Sequence, residues 1–450
     1  MKKPHPLPRR DALKLAVAGT ALPLVHMRTA HAAGRLKIVF WDHWVPASRP
    51  VMQALLAAWG EKNKVDIAVD FLDGAGTNAP ILLAPAEQSQ ARTGADIMTF
   101  FSWGVQQYQQ YLEPVDEVMD GLIRQYGAID PVGEYLGKAN GHWLGVPTSY
   151  GSQYKPSCAR ISFFKSAGFD VEAWYPNKPG DAKSAAPWTW DLLLKLAPQA
   201  QQAGLTFGLG LGQTSDSVDF TGALLRSFGG VLVDEKGNLQ LRSDAVQRAL
   251  EYLIRLYPYL PADAVTYDDA SNNKILIGGR SALIFNPPSA WWVARRDAIH
   301  VAEDCWTFPL PIGPKGRFNP YLPFFWGIWS FSQNKSAAKD LLSWLQQRQQ
   351  VETLCNASAG YDIPTFASMH DFEIWSTEKP PLGTLYNYPI RPWHDAQASM
   401  AAWPAPSRIG TQLYSNATFN VMVVKLAKQK QKMEDVLRWA ENEISGYANL

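Results

Sequence analysis

The pattern of apolar and polar positions near the start of the chain predicts a strand, a helix and a second strand. Residues 36–41 form a short apolar run rich in β-branched and aromatic side chains, which is typical of a buried strand. Residues 48–59 have apolar side chains at helical spacing, with Ser48 as the predicted N-cap, and residues 65–71 alternate like a strand. Such a βαβ unit predicts an α/β fold with a parallel sheet.

Polar and aromatic residues follow two of the predicted strands. Asp42, His43 and Trp44 come directly after the first strand, and Ser102 and Trp103 follow a third strand at residues 95–101. Because ligands of parallel sheets bind beyond the carboxyl ends of the strands, all five residues are candidate ligand contacts. No partner at metal-ligand spacing accompanies His43, so we expect a histidine that makes hydrogen bonds in a cleft.

Later segments continue the alternation of helices and strands. Helical patterns are predicted at residues 80–91, 161–168, 189–196, 220–228, 243–257, 336–346 and 433–444, and strands at 207–212, 279–285 and 324–331. Residues 234–238 predict a hairpin turn. The glycine-rich residues 208–212 lack the G-x-G-x-x-G spacing and the lysine of a phosphate-binding loop, so they are interpreted as strand and turn.

Length and composition narrow the class of protein. The chain has 450 residues, which suggests two or three domains, and a net charge of +1 without a basic block, which excludes a typical nucleic-acid-binding protein. Its 18 tryptophans indicate either large cores or aromatic faces for a ligand, and composition alone favours cores.

Three cysteines, Cys158, Cys305 and Cys355, show no metal-ligand spacing. We expect buried structural thiols, although one disulfide is possible in an oxidising compartment. No cofactor or metal motif occurs, so no cofactor is predicted.

The first 33 residues are interpreted as an export signal. Basic residues are followed by an apolar run of about 12–14 residues, too short for a membrane span of roughly 20, and then by small residues ending at Ala32 and Ala33. The pair Arg9 and Arg10 resembles a twin-arginine signal. Cleavage near Ala32 would leave a soluble periplasmic protein.

The ordered segments resemble the extracellular solute-binding proteins of ABC importers, within their large carbohydrate-binding family. The resemblance spans almost the whole mature chain and rests on residues 37–44, 94–97, 112–116, 145–147, 163–168, 187–191, 228–230, 279–282, 310–311 and 360–364. One departure occurs at residues 154–160, where Lys155, Pro156 and an insertion replace the short strand usual in the family.

This resemblance implies a type II periplasmic-binding-protein fold. Each of two lobes would be a mainly parallel sheet flanked by helices, with lobe one at residues 35–147 plus 310–358 and lobe two at 148–309 plus 359–450. Crossing segments would form a hinge, and ligand in the cleft would close the lobes. The implied partners are a small carbohydrate and the ABC permease subunits, and a monomer is expected.

Further candidate contacts follow from the position of residues relative to this cleft. Sugars present C–H faces and hydroxyl groups, which aromatic rings, carboxylates and amides can bind. The candidates are Tyr150, Asp219, Asn286, Trp326 and Trp403. Asp219 could instead cap a helix, and Asn286 could form the turn before two prolines.

Three functions are compatible with these features. The first is a receptor that delivers a mono- or oligosaccharide or a related polyol to a permease and performs no chemistry. The second is a secreted carbohydrate-active enzyme, which would need two carboxylates across a scissile bond. The third is a solute receptor that serves a sensor.

Overall fold

The computed structural model describes residues 34–73, 79–174, 187–286, 289–374 and 396–447. The predicted export signal, residues 1–33, lies outside the described residues. Within the described part of the chain, no helix combines the length and apolar composition needed to cross a membrane.

Strands and helices alternate along the chain. The strands are β1 (Arg35–Asp42), β2 (Asp66–Asp73), β3 (Ile97–Phe101), β4 (Lys138–Ala139), β5 (His142–Trp143), β6 (Val146–Tyr154), β7 (Ser157–Arg160), β8 (Thr206–Phe207), β9 (Ser281–Phe285), β10 (Cys305–Phe308), β11 (Ile312–Gly313), β12 (Gly316–Ile328) and β13 (Ala396–Ser399).

The α-helices of the described residues are α1 (Ser48–Asn63), α2 (Ala79–Ala91), α3 (Gly104–Gln107), α4 (Asp116–Tyr126), α5 (Pro131–Gly137), α6 (Ile161–Ser166), α7 (Val171–Trp174), α8 (Trp190–Gln202), α9 (Ser215–Ser227), α10 (Asp244–Leu256), α11 (Ser271–Ile277), α12 (Ser289–Asp297), α13 (Ile299–Ala302), α14 (Lys335–Leu345), α15 (Arg348–Ala357), α16 (Ser407–Ser415), α17 (Thr418–Ala427) and α18 (Met433–Tyr447).

The first lobe is built on a sheet with the order β11-β12-β3-β1-β2, and β6 and β13 also pair with β12. Strand β1 runs parallel to β2 and β3, which confirms the predicted βαβ unit. Strand β12 runs antiparallel to β3 and β6. The second lobe carries the sheet β10-β7-β9-β8, in which only β8 and β9 are parallel. The two-lobed α/β fold is confirmed, with sheets of mixed rather than mainly parallel direction.

Local sequence signals explain where several helices begin. The Thr189 hydroxyl accepts the backbone N–H of Leu192 at 3.0 Å and caps α8, as predicted. Helix α9 begins at Ser215, five residues before the predicted start, because Thr214 accepts the Ser217 N–H at 3.2 Å and is its cap. Asp219 therefore lies inside α9, and its predicted alternative role as N-cap is wrong.

Most of the large aromatic side chains lie in the cores. In the first lobe, Ile38 and Phe40 of β1 pack with Met52 and Leu56 of α1. Eleven tryptophans of the described chain are buried: Trp41, Trp59, Trp103, Trp143, Trp174, Trp188, Trp190, Trp291, Trp306, Trp326 and Trp329. The expectation that tryptophan abundance reflects large cores is therefore confirmed. The three cysteines are buried, as expected.

Two long strands cross from one lobe toward the other. Strand β6 continues through Lys155 and Pro156 into β7 of the second sheet. Strand β12 runs beside it, with Tyr321 opposite Tyr154 and the Lys155 backbone N–H donating to the Pro320 carbonyl at 2.9 Å. These paired segments occupy the predicted hinge region.

The predicted residue boundaries of the lobes stay a prediction. Four residues assigned to lobe two, Ile363, Phe366, Met369 and Phe372, pack in the core of the first lobe. Their segment is held there because the Ile363 N–H donates to the Ser152 carbonyl of β6 at 3.0 Å.

Candidate functional site

A cleft between the lobes contains two cavities. The larger, here called the outer cavity, has a volume of about 690 Å³. The smaller, here called the inner cavity, measures about 20 Å³, room for roughly one water molecule. Phe101 of the first lobe and Ser215 and Asp269 of the second line both cavities. The two cavities are therefore adjoining parts of one site.

The wall formed by the first lobe is mainly aromatic. Trp44 and Phe101 face the inner cavity, whereas Ser102 and Trp103 line the outer one. These residues meet because β1 and β3 are parallel neighbours whose carboxyl ends share one edge of the sheet. Ser102 has a φ of 53°, and its backbone N–H donates to the Pro323 carbonyl at 2.9 Å, which turns the chain into the cleft.

Asp42 and His43 support this wall from behind. Asp42 accepts a hydrogen bond from the Arg49 guanidinium at 3.0 Å. The Val45 N–H donates to His43 Nδ1 at 2.9 Å, so the imidazole proton lies on Nε2 and is donated to Asp362 at 2.8 Å. The same Asp362 oxygen accepts the Gly151 N–H at 2.9 Å. His43 thus makes hydrogen bonds, as predicted, and connects the first strand to a crossing strand.

The wall formed by the second lobe is polar and acidic. Ser215 and Asp216 occupy the first turn of α9, and Asp269 lies just before α11. The Ser215 hydroxyl donates to Asp269 Oδ1 at 3.1 Å, and the Asp216 N–H donates to the same oxygen at 3.3 Å. The two acidic side chains are therefore held side by side at the cleft.

Lys155 is buried beneath these carboxylates. Its ammonium nitrogen lies 2.8 Å from Asp216 Oδ1 and 2.7 Å from Asp219 Oδ2, and it also donates to Ser215 at 3.1 Å. Burial alone would lower the pKa of Lys155, but the two neighbouring carboxylates raise it above its ordinary value. Lys155 is therefore charged and fixes the first turn of α9 to the crossing strand.

Asp269 has an unusual protonation equilibrium. Burial, reinforced by the negative charge of Asp216, raises the pKa of Asp269 to about 6, although Lys155 acts in the opposite direction. One positive charge thus stands among three carboxylates, those of Asp216, Asp219 and Asp269.

Asn286 belongs to a chain of buried amides beside the inner cavity. Its Nδ2 donates to the side-chain oxygens of Asn272, at 2.8 Å, and Asn273. Asn272 in turn donates to Asp216 Oδ2 at 2.7 Å, and Asn273 donates to Ser289 at 3.1 Å. Both amide hydrogens of Asn286 are therefore donated within the protein.

Six predicted contacts line neither of the two cavities, and the prediction that they contact ligand there is not supported: Asp42, His43, Tyr150, Asp219, Trp326 and Trp403. Tyr150 is buried in the first core, 5.0 Å from the His43 ring, and Trp326 stacks on Phe40 at 5.1 Å between ring centroids. Trp403 is 38% exposed and carries the Arg226 guanidinium 3.8 Å from its ring centroid. Asp219 lies beneath the cavity floor, beside Lys155.

Sequence reasoning misses four polar residues of the site: Gln153, Lys155, Asp216 and Asp269. Lys155 did carry a signal, because it belongs to the segment that departs from the family pattern. Asp269 lies just before a helix, as many aspartates in turns do. Nothing in its local pattern distinguishes such a turn residue from a residue of the site.

The site combines aromatic rings on one wall with hydrogen-bond acceptors on the other. Across the described residues, no cluster of histidine, cysteine and acidic side chains could hold a metal ion. Asp216 and Asp269 lie on the same wall, and Asp42 of the opposite lobe is bound to Arg49. The arrangement can bind a polar ligand with apolar faces.

Comparison with protein families gives one match. The sequence model of a family described as bacterial extracellular solute-binding protein matches residues 46–352. A search of curated proteins found no match.

Solved structures share the fold. A maltose-bound protein of T. maritima, MalE3, is similar at 19% identity, with a TM-score of 0.70 over 91% of this chain and 99% of that one. A sugar transporter protein from Arthrobacter chlorophenolicus with bound laminaribiose is 16% identical, with a TM-score of 0.70 and coverage of 92% and 99%. A solute-binding protein from Agrobacterium radiobacter in complex with ribitol is 15% identical, with a TM-score of 0.68 and coverage of 91% and 98%.

Proposed function

Because the chain belongs to the family of bacterial extracellular solute-binding proteins, we propose that it is the receptor of an ABC importer. It captures a sugar or a related polyol in the cleft between its lobes and delivers it to membrane permease subunits. One observation carries this proposal: an aromatic wall, formed by Trp44, Phe101 and Trp103, lies across the cleft from a wall of hydrogen-bond acceptors around Asp216 and Asp269.

The chemistry of sugars fits both walls. C–H faces of a pyranose or a polyol chain pack against Phe101 and Trp103, which line the outer cavity, and the hydroxyl groups donate to carboxylate oxygens of the second lobe. Proteins of the same fold are described with bound maltose, laminaribiose and ribitol, which supports this ligand class.

The receptor performs no chemistry. A glycosidase needs two carboxylates about 5–10 Å apart on either side of a scissile bond. Here the acidic residues of the cleft gather on one wall, which favours binding over hydrolysis.

We place the mature protein in the periplasm, as a monomer, after removal of residues 1–33. The family's extracellular location supports export. The proposal has three further parts. The protein is exported by the twin-arginine route, it is cleaved near Ala32, and it serves a transporter rather than a sensor.

A thermal-shift screen of the mature protein against sugars, polyols, amino acids and metal ions tests the function. Ligand at a hundredfold excess over Kd should stabilise the protein by about 2.7 kcal/mol. A shift with one class of saccharide or polyol, without product formation, is the expected result. A shift with amino acids alone, or turnover of a glycoside by pure protein, would contradict the proposal.

A further inference from the structure

The inner cavity is surrounded by features that suit a positive charge. We infer that it binds a protonated amino group of the ligand, which, on the proposed function, makes the ligand an amino sugar or an amino polyol. The inference combines the charge of the two cavities, an unpaired acceptor, aromatic rings and the size of the inner cavity.

The charge of the cleft is negative. Among the described residues that line the two cavities, Asp216, Asp268 and Asp269 are acidic and Lys425 is the one lysine or arginine. Asp268 pairs with Lys274, 3.7 Å away, which leaves Asp216 and Asp269 as the acidic groups of the inner cavity. Lys425 directs its ammonium toward the Trp439 ring, 4.5 Å from its centroid. Lys155 lies behind the wall and is already shared between Asp216 and Asp219. One buried lysine thus faces three carboxylates, those of Asp216, Asp219 and Asp269, and a ligand cation would offset part of this excess of negative charge.

A buried side chain from the crossing strand adds a free acceptor. Gln153 is 5% exposed and lines the inner cavity, and its Oε1 has no hydrogen-bond partner. Such an oxygen is costly unless a ligand group donates to it. The amide hydrogens of Asn286 and the hydroxyl hydrogen of Ser215, which lie nearby, are already donated to protein acceptors. The Gln153 oxygen is therefore available to a donor on the ligand.

Aromatic rings complete the surroundings of the inner cavity. Trp44, Phe101 and Phe324 line the side opposite the carboxylates. An ammonium group is attracted to the faces of such rings, which a neutral hydroxyl is not. The inner cavity has room for roughly one water molecule, which an ammonium group matches in size. The sugar ring itself would occupy the adjoining outer cavity.

Isothermal titration calorimetry of the mature protein near neutral pH tests the inference with matched ligands. The probes are glucosamine, galactosamine and mannosamine, their neutral parent sugars, their N-acetylated forms, and ethanolamine as a primary amine without a sugar. We expect an amino sugar to bind at least about tenfold more tightly than its neutral and acetylated partners, with the difference shrinking at high salt. Equal or tighter binding of the neutral partner in every pair that binds would overturn the inference and leave the sugar receptor standing. Binding of ethanolamine without any sugar would overturn the proposed function and keep the amino-group site.

Two variants connect the preference to the inner cavity. Asp269→Asn should reduce the preference for the amino sugar at least about threefold, and Gln153→Leu should weaken its binding, because each removes an acceptor. Asp263→Asn, a change of an exposed carboxyl outside both cavities, is the matched control and should leave the preference intact. Circular dichroism confirms that each variant is folded. An unchanged preference in folded Asp269→Asn would contradict the site.

Discussion

Lys155 and its two carboxylates depend on one another for stability. The ammonium is 1% exposed and lies within 2.8 Å of both Asp216 and Asp219. Removing it leaves two buried carboxylates without their shared counter-charge. The stability of this cluster therefore depends on all three charged groups together rather than on one ion pair.

Lys155→Met should therefore lower the free energy of unfolding by about 3–5 kcal/mol, the range for a broken buried ion pair. Urea unfolding followed by circular dichroism measures the loss. Lys428→Met, at an exposed lysine, is the control and should change stability by less than about 0.5 kcal/mol. A loss below about 1 kcal/mol in Lys155→Met would show that water reaches the cluster.

Asp269 gives the protein a pH-dependent stability of definite sign. Its pKa of about 6, against an ordinary value of 3.8, means that between these values the folded chain holds a proton that the unfolded chain has released. This contribution is present at low pH and is lost as pH rises through 6. The side chain of Asp269→Asn stays neutral at every pH. The free energy of unfolding of this variant, relative to that of the wild type, should therefore rise by about 1–3 kcal/mol as the pH is raised from about 4 to about 7.5. Urea unfolding of both proteins at several pH values tests this, and a parallel pH dependence would refute the assignment.

At the residue scale, the sequence predicts the part of the site that follows strand ends. Trp44, Ser102 and Trp103 lie at the cavities because the sheet edge places them there. Tyr150 and Trp326 instead pack in the first core, since alternation along a strand does not say which face meets a cleft. Asp269 and Lys155 come together only through tertiary folding, which no local pattern encodes.

At the scale of elements, close packing of β6 against β12 stabilises the region where these strands cross between the lobes. Gly151 of β6 has a φ of 94°, and a Cβ built there would lie 2.8 Å from the Phe324 ring of β12. Glycine is therefore required both for the backbone conformation and for the close approach of the two strands.

Gly151→Ala should cost about 2–4 kcal/mol of unfolding free energy, because backbone strain adds to the clash with Phe324. Gly204→Ala is a matched control: its φ is 72°, but nothing lies within 4 Å of the added Cβ. That variant should lose only about 1 kcal/mol. Thermal and urea unfolding compare the two, and equal losses would rule out the clash.

Elements with strong local signals are predicted well from the sequence. The cap at Thr189 and the βαβ unit of β1, α1 and β2 follow from residue type and spacing. The start of α9 is missed because Ser215, Asp216 and Ser217 interrupt the apolar pattern, although Thr214 is a good cap. The antiparallel strands of the second sheet are also missed, because apolar runs do not reveal direction.

At the scale of the whole molecule, the lobes touch beside the outer cavity. The Tyr135 hydroxyl of α5 donates to the Ala405 carbonyl at 2.6 Å, and Ala405 packs in the core of the second lobe. Gly410 of α16 lies against the Trp103 ring without room for a side chain. Contact between the lobes thus depends on a small residue at one point.

Gly410→Ala should disfavour this contact and so weaken ligand binding about tenfold, because closure must then displace the Trp103 ring. Calorimetry with the saccharide identified by the thermal-shift screen gives the affinity, and small-angle scattering gives the radius of gyration. Gly446→Ala, where nothing surrounds the added Cβ, is the control and should bind like the wild type. Unchanged affinity in a folded Gly410→Ala protein would argue against lobe contact as part of binding.

The burial of Trp103 also gives the protein an optical signal of its own. Its indole is 2% exposed and packs against Gly410 of α16, whereas separated lobes would place the same ring in water. Its emission should then shift to longer wavelength on opening. The difference between the spectra of the wild type and Trp103→Phe would isolate this one fluorophore from the other tryptophans. Lobe motion could thus be followed in real time without attaching any label.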